Sequence, residues 1–274
     1  MRLTVDYQTR YTYSEPVRRV IQLLRVTPQS FVGQHVLDWR IDVDSDARLR
    51  EGRDGYGNII HMLYVDHRVE RLTISVCGDV LTEDHSGLVA GLPSELPPLV
   101  FTRETRLTKT NQALRDLARS IDDEGGAALD RLHRLMAYIQ ANLRFDTNAT
   151  DSDTTAAEAF DAGHGVCQDL SHIFIATARA MGMPARYVSG HMFRRDGAQL
   201  QEAAHAWAEA WIDDLGWTAF DAVNGICADD AYIRIASGLD YLDAAPIAGA
   251  RAGGGAEELH VEVQVRQARV QAQA

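Results

Sequence analysis

Three cysteines, Cys77, Cys167 and Cys227, are too few and too widely spaced in a chain of 274 residues for a disulfide framework or a paired zinc motif. Each has to be read in its own surroundings. No apolar run approaches the roughly 18 residues that cross a membrane. The opening Met1-Arg2-Leu3-Thr4-Val5-Asp6 also lacks the apolar stretch and small-residue cleavage site of a secretory leader. A cytoplasmic, soluble protein without a membrane partner is therefore expected. Basic residues are outnumbered, 27 Lys and Arg against 39 Asp and Glu for a formal charge of -12, and none of them gather into a stripe, so nucleic acid is not an expected partner. No internal repeat is evident. What is present, 46% hydrophobic and 24% charged residues, is an ordinary composition for a chain that buries a core.

Apolar and aromatic residues alternate through Leu3, Val5, Tyr7, Tyr11 and Tyr13, the period of a half-buried strand. The alternation returns at Leu37, Trp39, Ile41 and Val43 and at Leu72, Ile74 and Val76, with turn chemistry in Asp54-Gly55 and Gly57-Asn58 between them. Around Val17, Val20, Ile21 and Leu24 the β-branched content and Pro28 favour strand over helix. Residues 1–85 thus read as an antiparallel β module, a sandwich. Gly87, Gly91, Pro93, Pro97 and Pro98 then break all periodicity, which predicts a linker over 86–105.

Beyond it the period becomes helical. Leu114, Leu117, Ala118 and Ile121 predict one amphipathic helix, and Leu129, Leu132, Met136, Ile139 and Leu143 a second. Thr155-Ala156-Ala157-Glu158 has the spacing of a capping box and predicts a third. A fourth should open near Cys167 and stop at Gly182 ahead of Pro184. Strand-like segments follow at Ala185 to Phe193, Ala204 to Ile212 and Trp217 to Phe220, with a last alternating strand through Leu259, Val261, Val263 and Val265. Helices first and strands after predict an α+β core over 106–274, with the C-terminal strand assigned to it.

Cys167 follows Gly163-His164-Gly165-Val166 and opens a helix, where free backbone N–H groups and the positive end of the helix dipole favour a thiolate. The two glycines allow close backbone approach to a substrate, and the Cys167 amide is placed to donate to an oxyanion. Asp169, as an anion just inside the helix, should oppose thiolate formation. His205 lies in Ala203-Ala204-His205-Ala206-Trp207-Ala208-Glu209, whose small residues leave room for an imidazole over a helix end. Asp221 closes Gly216-Trp217-Thr218-Ala219-Phe220-Asp221, and antiparallel pairing of the two strands brings its carboxylate beside the ring. Cysteine, histidine and carboxylate are the parts of an activated nucleophile.

Gly165-Val166-Cys167-Gln168-Asp169, then Ala180-Met181-Gly182-Met183-Pro184-Ala185-Arg186-Tyr187-Val188-Ser189-Gly190, then His205-Ala206-Trp207, Gly216-Trp217 and Phe220-Asp221 resemble the successive blocks of the bacterial transglutaminase-like superfamily. The resemblance is close over about residues 130–226, and the N-terminal β module resembles the one that precedes this core in bacterial members. It implies a circularly permuted papain-like core and the roles of nucleophile for Cys167, base for His205 and orienting residue for Asp221. The sequence departs from the family at Asp221-Ala222-Val223-Asn224-Gly225, where relatives carry proline and threonine before the asparagine.

The expected activity is thiol-dependent acyl transfer on an amide or peptide bond of a peptide, protein or small amide, by hydrolysis rather than protein crosslinking, because nothing in the chain marks an acyl-acceptor site. No cofactor is expected. Metal ligation by His164, His172, His191 and His205 is disfavoured because His172, five residues after Cys167 on a helix, points away from it. Trp207 and Trp211 read as core packing. The contrasting expectation is a non-catalytic peptide-binding or scaffold protein that keeps the fold, in which Cys167 would label as slowly as an ordinary thiol at mildly acidic pH. Cys77 and Cys227 lie outside the five blocks. Cys77→Ser and Cys227→Ser should leave turnover of a peptide or glutamine-amide library substrate largely unchanged, and loss of activity in folded Cys227→Ser would show that this residue belongs to the site.

Overall fold

In a computed structural model, residues 1–92, 96–147, 150–197, 200–201 and 203–268 are described. The chain begins with one long strand, β1 (Arg2–Leu24), followed by β2 (Gln34–Val43), β3 (Arg48–Arg53), β4 (Ile59–Val65) and β5 (Val69–Thr82). β1 serves two layers. Its first half pairs with β5, whose other edge takes β2, and its second half pairs with β4, which carries β3. The register to β5 shifts between Thr12 and Val17, around Pro16, where a ladder donor is missing. Leu3, Val5, Tyr7, Tyr11 and Tyr13 face the interior with Val17, Val20 and Leu24, against Leu63, Val65, Leu72, Ile74 and Val76. The expected sandwich is thus a single antiparallel sheet curled on itself, and Val17 to Leu24 is strand as its β-branched content predicts.

The segment read as a linker is packed against the core. Its short strand β6 (Leu88–Val89) pairs with a strand that carries Trp217 and Thr218, and Phe101 is buried edge-on against Trp217. Pro93 lies outside the described residues. Helices α1 (Gln112–Asp123), α2 (Ala128–Asn142) and α3 (Ala156–Ala162) follow, with the two-residue strand β7 (Arg144–Phe145) between α2 and α3 and β8 (His164–Gly165) after α3. Thr155 and Glu158 form the expected capping box at the start of α3. α4 (Cys167–Ala180) is buried over almost its whole length, with α1, α2 and α3 on one side and the second sheet on the other.

That sheet is built from β9 (Ala185–Met192), β11 (His205–Ile212), β12 (Gly216–Asp221), β13 (Ile226–Cys227) and β14 (Tyr232–Gly238), in the order β13-β12-β11-β9-β14; β10 (Leu200–Gln201), between β9 and β11, reaches out of it. Along β11 the alanines 206, 208 and 210 share a cluster with Leu170, Ile173 and Phe174 of α4. Small side chains here let the helix approach the sheet. The room expected for the imidazole is therefore room for α4, while Trp207 packs on the other face with Val188, Ala219 and Tyr232.

β15 (Ile247–Gly253) and β16 (Glu257–Gln267) correct the expected boundary. Instead of completing the core, β16 pairs with β1 from Leu3 to Tyr13 and with β10, and β15 pairs with the second half of β1. The alternation of Val261, Val263 and Val265 fits a strand in either sheet, so only the pairing partner distinguishes them. The two regions also meet at β14, an outer strand of the core sheet. The Gln34 amide donates to the Arg234 carbonyl at 2.9 Å and accepts from its N–H at 2.8 Å. Asn58 does the same for Ser237, at 2.8 and 2.9 Å. Two side-chain amides therefore stand in for a neighbouring strand and close an edge that would otherwise be open.

Beneath this junction Glu209, fully buried, takes the Arg186 Nε at 2.5 Å and the Arg234 Nε at 2.8 Å, tying β9, β11 and β14 together. Arg186 also lies over the Trp217 ring, 3.9 Å from its centroid. Burial pushes the Glu209 carboxyl up, but the two guanidinium groups outweigh it and hold its pKa below the ordinary value. A depressed carboxyl contributes stability above its unfolded pKa of about 4.3 and loses it as the pH falls through the folded value. Glu209→Ala leaves two buried cations without their counter-charge and should cost about 3–5 kcal/mol, read by denaturant unfolding at neutral pH. A cost under about 1 kcal/mol would mean that water or another group replaces the carboxylate.

Candidate active site

α4 begins at Cys167, so the cysteine occupies the first helical position, where an N–H group has no intrahelical partner. The turn before it is tightly specified. Gly163 closes α3 in the left-handed conformation at φ 73°, which a Cβ would strain. At Gly165 a Cβ would lie 2.6 Å from the Asp169 Cβ, so this glycine makes room for an internal carboxylate and not, as expected, for a substrate. Asp169 Oδ2 accepts from the Val166 N–H at 2.8 Å and from the Thr150 hydroxyl at 2.6 Å. It thereby holds the helix start. Burial raises its pKa, against the lowering effect of these two bonds.

His205 opens β11 and Asp221 ends β12, and the pairing of Ala208 with Phe220 sets these neighbouring strands in register. The structure brings the two side chains together with Cys167. His205 Nε2 lies 2.6 Å from Asp221 Oδ2, which leaves Nδ1 as the free ring nitrogen, and Cys167 is the second partner of the imidazole. The His205 side chain is 10% exposed and that of Asp221 is fully buried. Burial by itself would lower the pKa of the imidazole. The Asp221 hydrogen bond, the Cys167 hydrogen bond and both their charges work the other way and push it up to about 10.

Asp221 is held by more than His205. Its Oδ2 also accepts from the Tyr232 hydroxyl and the Asn224 side-chain amide, both at 2.7 Å, and its Oδ1 accepts from the backbone N–H of Val223 at 2.9 Å and of Asn224 at 3.2 Å. The loop that departs from the family pattern thus folds back onto the carboxylate. Burial opposes ionisation, yet these donors and the imidazolium hold the pKa below the usual carboxylate value. Asn224 and Tyr232 were not among the expected site residues. The three-residue spacing from Asp221 to Asn224 is a local signal that suits a carboxylate-centred turn. Tyr232 has no local signal, because it comes from a different strand.

His172 and His191 have other partners. His172 is buried against Tyr187, accepts the Tyr241 N–H at Nε2, and has its pKa lowered to about 3 by burial and then by Arg179. His191 is buried against Tyr7 with its pKa lowered to about 4. Both are neutral packing residues. Trp207 lies in the core, as expected, but it also packs on the His205 ring at 6.1 Å, with Tyr232 on the same ring at 6.0 Å. A cleft opens between the N-terminal region and the core; Trp207 and Tyr232 line it, and Cys167, His205 and Asp221 do not. Among the described residues no cluster of His, Cys, Asp and Glu could hold a metal ion, and no helix is long and apolar enough to cross a membrane.

Two family models match the chain. Residues 115–222 match the transglutaminase-like superfamily, and residues 3–81 match the bacterial transglutaminase-like N-terminal region. The uncharacterized protein ML0607 of Mycobacterium leprae is 27% identical over 96% of this chain and 98% of its own length. A protein-glutamine gamma-glutamyltransferase of Pseudomonas aeruginosa is 30% identical over 117 residues, 36% of this chain and 16% of its own. Among solved structures, a candidate cysteine protease from Cytophaga hutchinsonii superposes with a TM-score of 0.78 at 22% identity, covering 99% of this chain and 92% of that one. This last likeness extends over both regions of the fold.

An imidazole whose pKa is raised on folding contributes stability below its unfolded value of about 6.5 and loses it as the pH rises through about 10. Asp221→Asn removes the charge and sets an amide N–H₂ or a single oxygen against three donors, those of His205, Tyr232 and Asn224. In this variant the pH at which His205 loses its proton should fall by about 1–3 units. Ring NMR signals of His205, together with the rate of Cys167 alkylation against pH, measure it. Unchanged profiles would place Asp221 outside the group that controls the imidazole.

Proposed function

Because the chain belongs to the transglutaminase-like superfamily and carries the N-terminal region of its bacterial members, we propose that it is a thiol acyl-transfer enzyme acting on amide or peptide bonds through Cys167, His205 and Asp221. One observation carries this reading: a buried ionised carboxylate bonds one nitrogen of an imidazole whose other partner is a cysteine at a helix N-terminus. Cys167 Sγ attacks the amide carbonyl and the C–S bond forms. The developing oxyanion lies where the Cys167 N–H can meet it. As the C–N bond breaks, the amine leaves with the proton from His205, and a thioester remains. Water then gives its proton to His205 and attacks the thioester; the C–S bond breaks, the carboxylic acid departs, and the thiolate with its imidazolium is restored.

Asp221 never meets the substrate in this scheme. It fixes which nitrogen carries the Nε2 proton and keeps Nδ1 directed at sulfur. Hydrolysis is favoured over crosslinking because, among the described residues, no group beside Cys167 marks a site for an incoming amine.

Cys167→Ala should remove turnover and keep the fold, since alanine suits a helix start and no other thiol reaches His205. Incubating the protein with a glutamine-containing peptide and an excess of a primary amine separates the outcomes by mass spectrometry. A gain of the amine in place of ammonia would replace hydrolysis by transfer. Turnover retained in clean Cys167→Ala, or Cys167 labelling no faster than an ordinary thiol at mildly acidic pH, would favour a binding module instead.

A further inference from the structure

We propose that Tyr232 is a positioning residue for Cys167, His205 and Asp221, and that the N-terminal region acts on the site through it by holding the strand from which its phenol reaches Asp221. This rests on the proposed acyl-transfer reading. Tyr232 starts β14, and its hydroxyl donates at 2.7 Å to the same Asp221 oxygen that His205 Nε2 meets at 2.6 Å. Its ring also lies 6.0 Å from the His205 ring and stands edge to face with Trp207. One side chain thus touches both the carboxylate and the imidazole, and it is buried.

The phenol keeps its proton. Burial, the Asp221 charge and the Asp221 hydrogen bond all raise its pKa, so Tyr232 acts as a donor and not as a base. A donor on the shared oxygen draws on the charge that Asp221 otherwise spends on the imidazolium. Without it the proton on His205 is held more tightly, and transfer to a leaving amine becomes harder. The other charged and titratable groups facing this pair are Cys167 from α4 and Asp229 from the turn before β14, and Arg195 beyond Asp229 pairs with it at 2.6 Å.

Besides its pairing with β9, β14 is held from outside the core. Gln34 bonds both backbone groups of Arg234, two residues beyond Tyr232, and the Thr82 hydroxyl donates to the Asp230 carbonyl at 2.5 Å, two residues before it. The N-terminal region therefore grips the strand on either side of the tyrosine.

The test uses the full chain with Tyr232→Phe and, separately, Gln34→Leu. The His205 ring is titrated by NMR upward from neutral pH, and kcat and KM are followed against pH once a library substrate is found. Tyr232→Phe should move the loss of the His205 proton upward by about half a unit or more. It should lower kcat about tenfold and leave KM within about twofold. Gln34→Leu should shift the titration the same way by less, and the double variant should add little to Tyr232→Phe. A His205 titration that stays in place or moves down in folded Tyr232→Phe overturns the proposal, whatever happens to activity. Full additivity of the two variants removes the N-terminal region from it. The titration needs no substrate, so a wild-type protein without turnover would count against acyl transfer while the His205 shift still decides the role of Tyr232.

Discussion

A carboxylate with no exposed surface stays ionised only if donors replace the water it has lost. At Asp221 five of them do so: the imidazole, a phenol, a side-chain amide and two backbone N–H groups. They arrive from β11, from β14 and from the loop after β12. Their convergence fixes the relative placement of three parts of the sheet around one pair of oxygens. The charge they stabilise then raises the pKa of His205, and that raised pKa is what lets an imidazolium stand beside the sulfur at neutral pH. The orientation and the charge of the imidazole both trace back to this one buried anion.

The core sheet is not self-sufficient around it. β14 is an outer strand, closed on its far edge by the amides of Gln34 and Asn58, and held from below by the two arginines that share Glu209. Side-chain amides can do this because they carry the same donor and acceptor pair as a peptide group. The C-terminal strands strengthen the arrangement, since β15 and β16 leave the core and complete the sheet of the N-terminal region. A boundary drawn along the sequence at residue 106 therefore does not divide the molecule into two pieces with separate cores.

Much of this was legible in the residues. Strand periodicity at Leu3 to Tyr13, the capping box at Thr155 and the helix stop at Gly182 are local signals governed by local physics, and each element stands where those signals put it. Cys167 and Asp221 could be singled out because one begins a helix and the other ends a strand, and ends of elements are where side chains converge; His205 stood out by the block His205-Ala206-Trp207 that resembles the superfamily. The rest depended on partners distant in sequence. Tyr232 looks like any apolar strand residue until β14 is set beside Asp221. The alanines of β11 announce a close approach without saying of what, and it proved to be α4. Gly165 announces a missing Cβ, and only the position of the Asp169 carboxylate explains it. The strand of Val261 to Val265 shows its alternation plainly and its sheet not at all.

The pairing of β1 with β16 brings together segments at opposite ends of the described chain; the Ala256 N–H, for instance, meets a hydroxyl 242 residues earlier. During synthesis β1 is made well before the strand that covers its edge from Leu3 to Tyr13. Until then that edge offers unpaired N–H and C=O groups beside Leu3, Val5, Tyr7, Tyr11 and Tyr13, a template for pairing with another nascent chain. The outward positions Asp6, Gln8, Arg10 and Thr12 are polar or charged, a pattern that discourages such association while the edge waits. β1 thus remains incomplete until β16 is made, and its solubility over that interval falls to the alternate face that never enters the core.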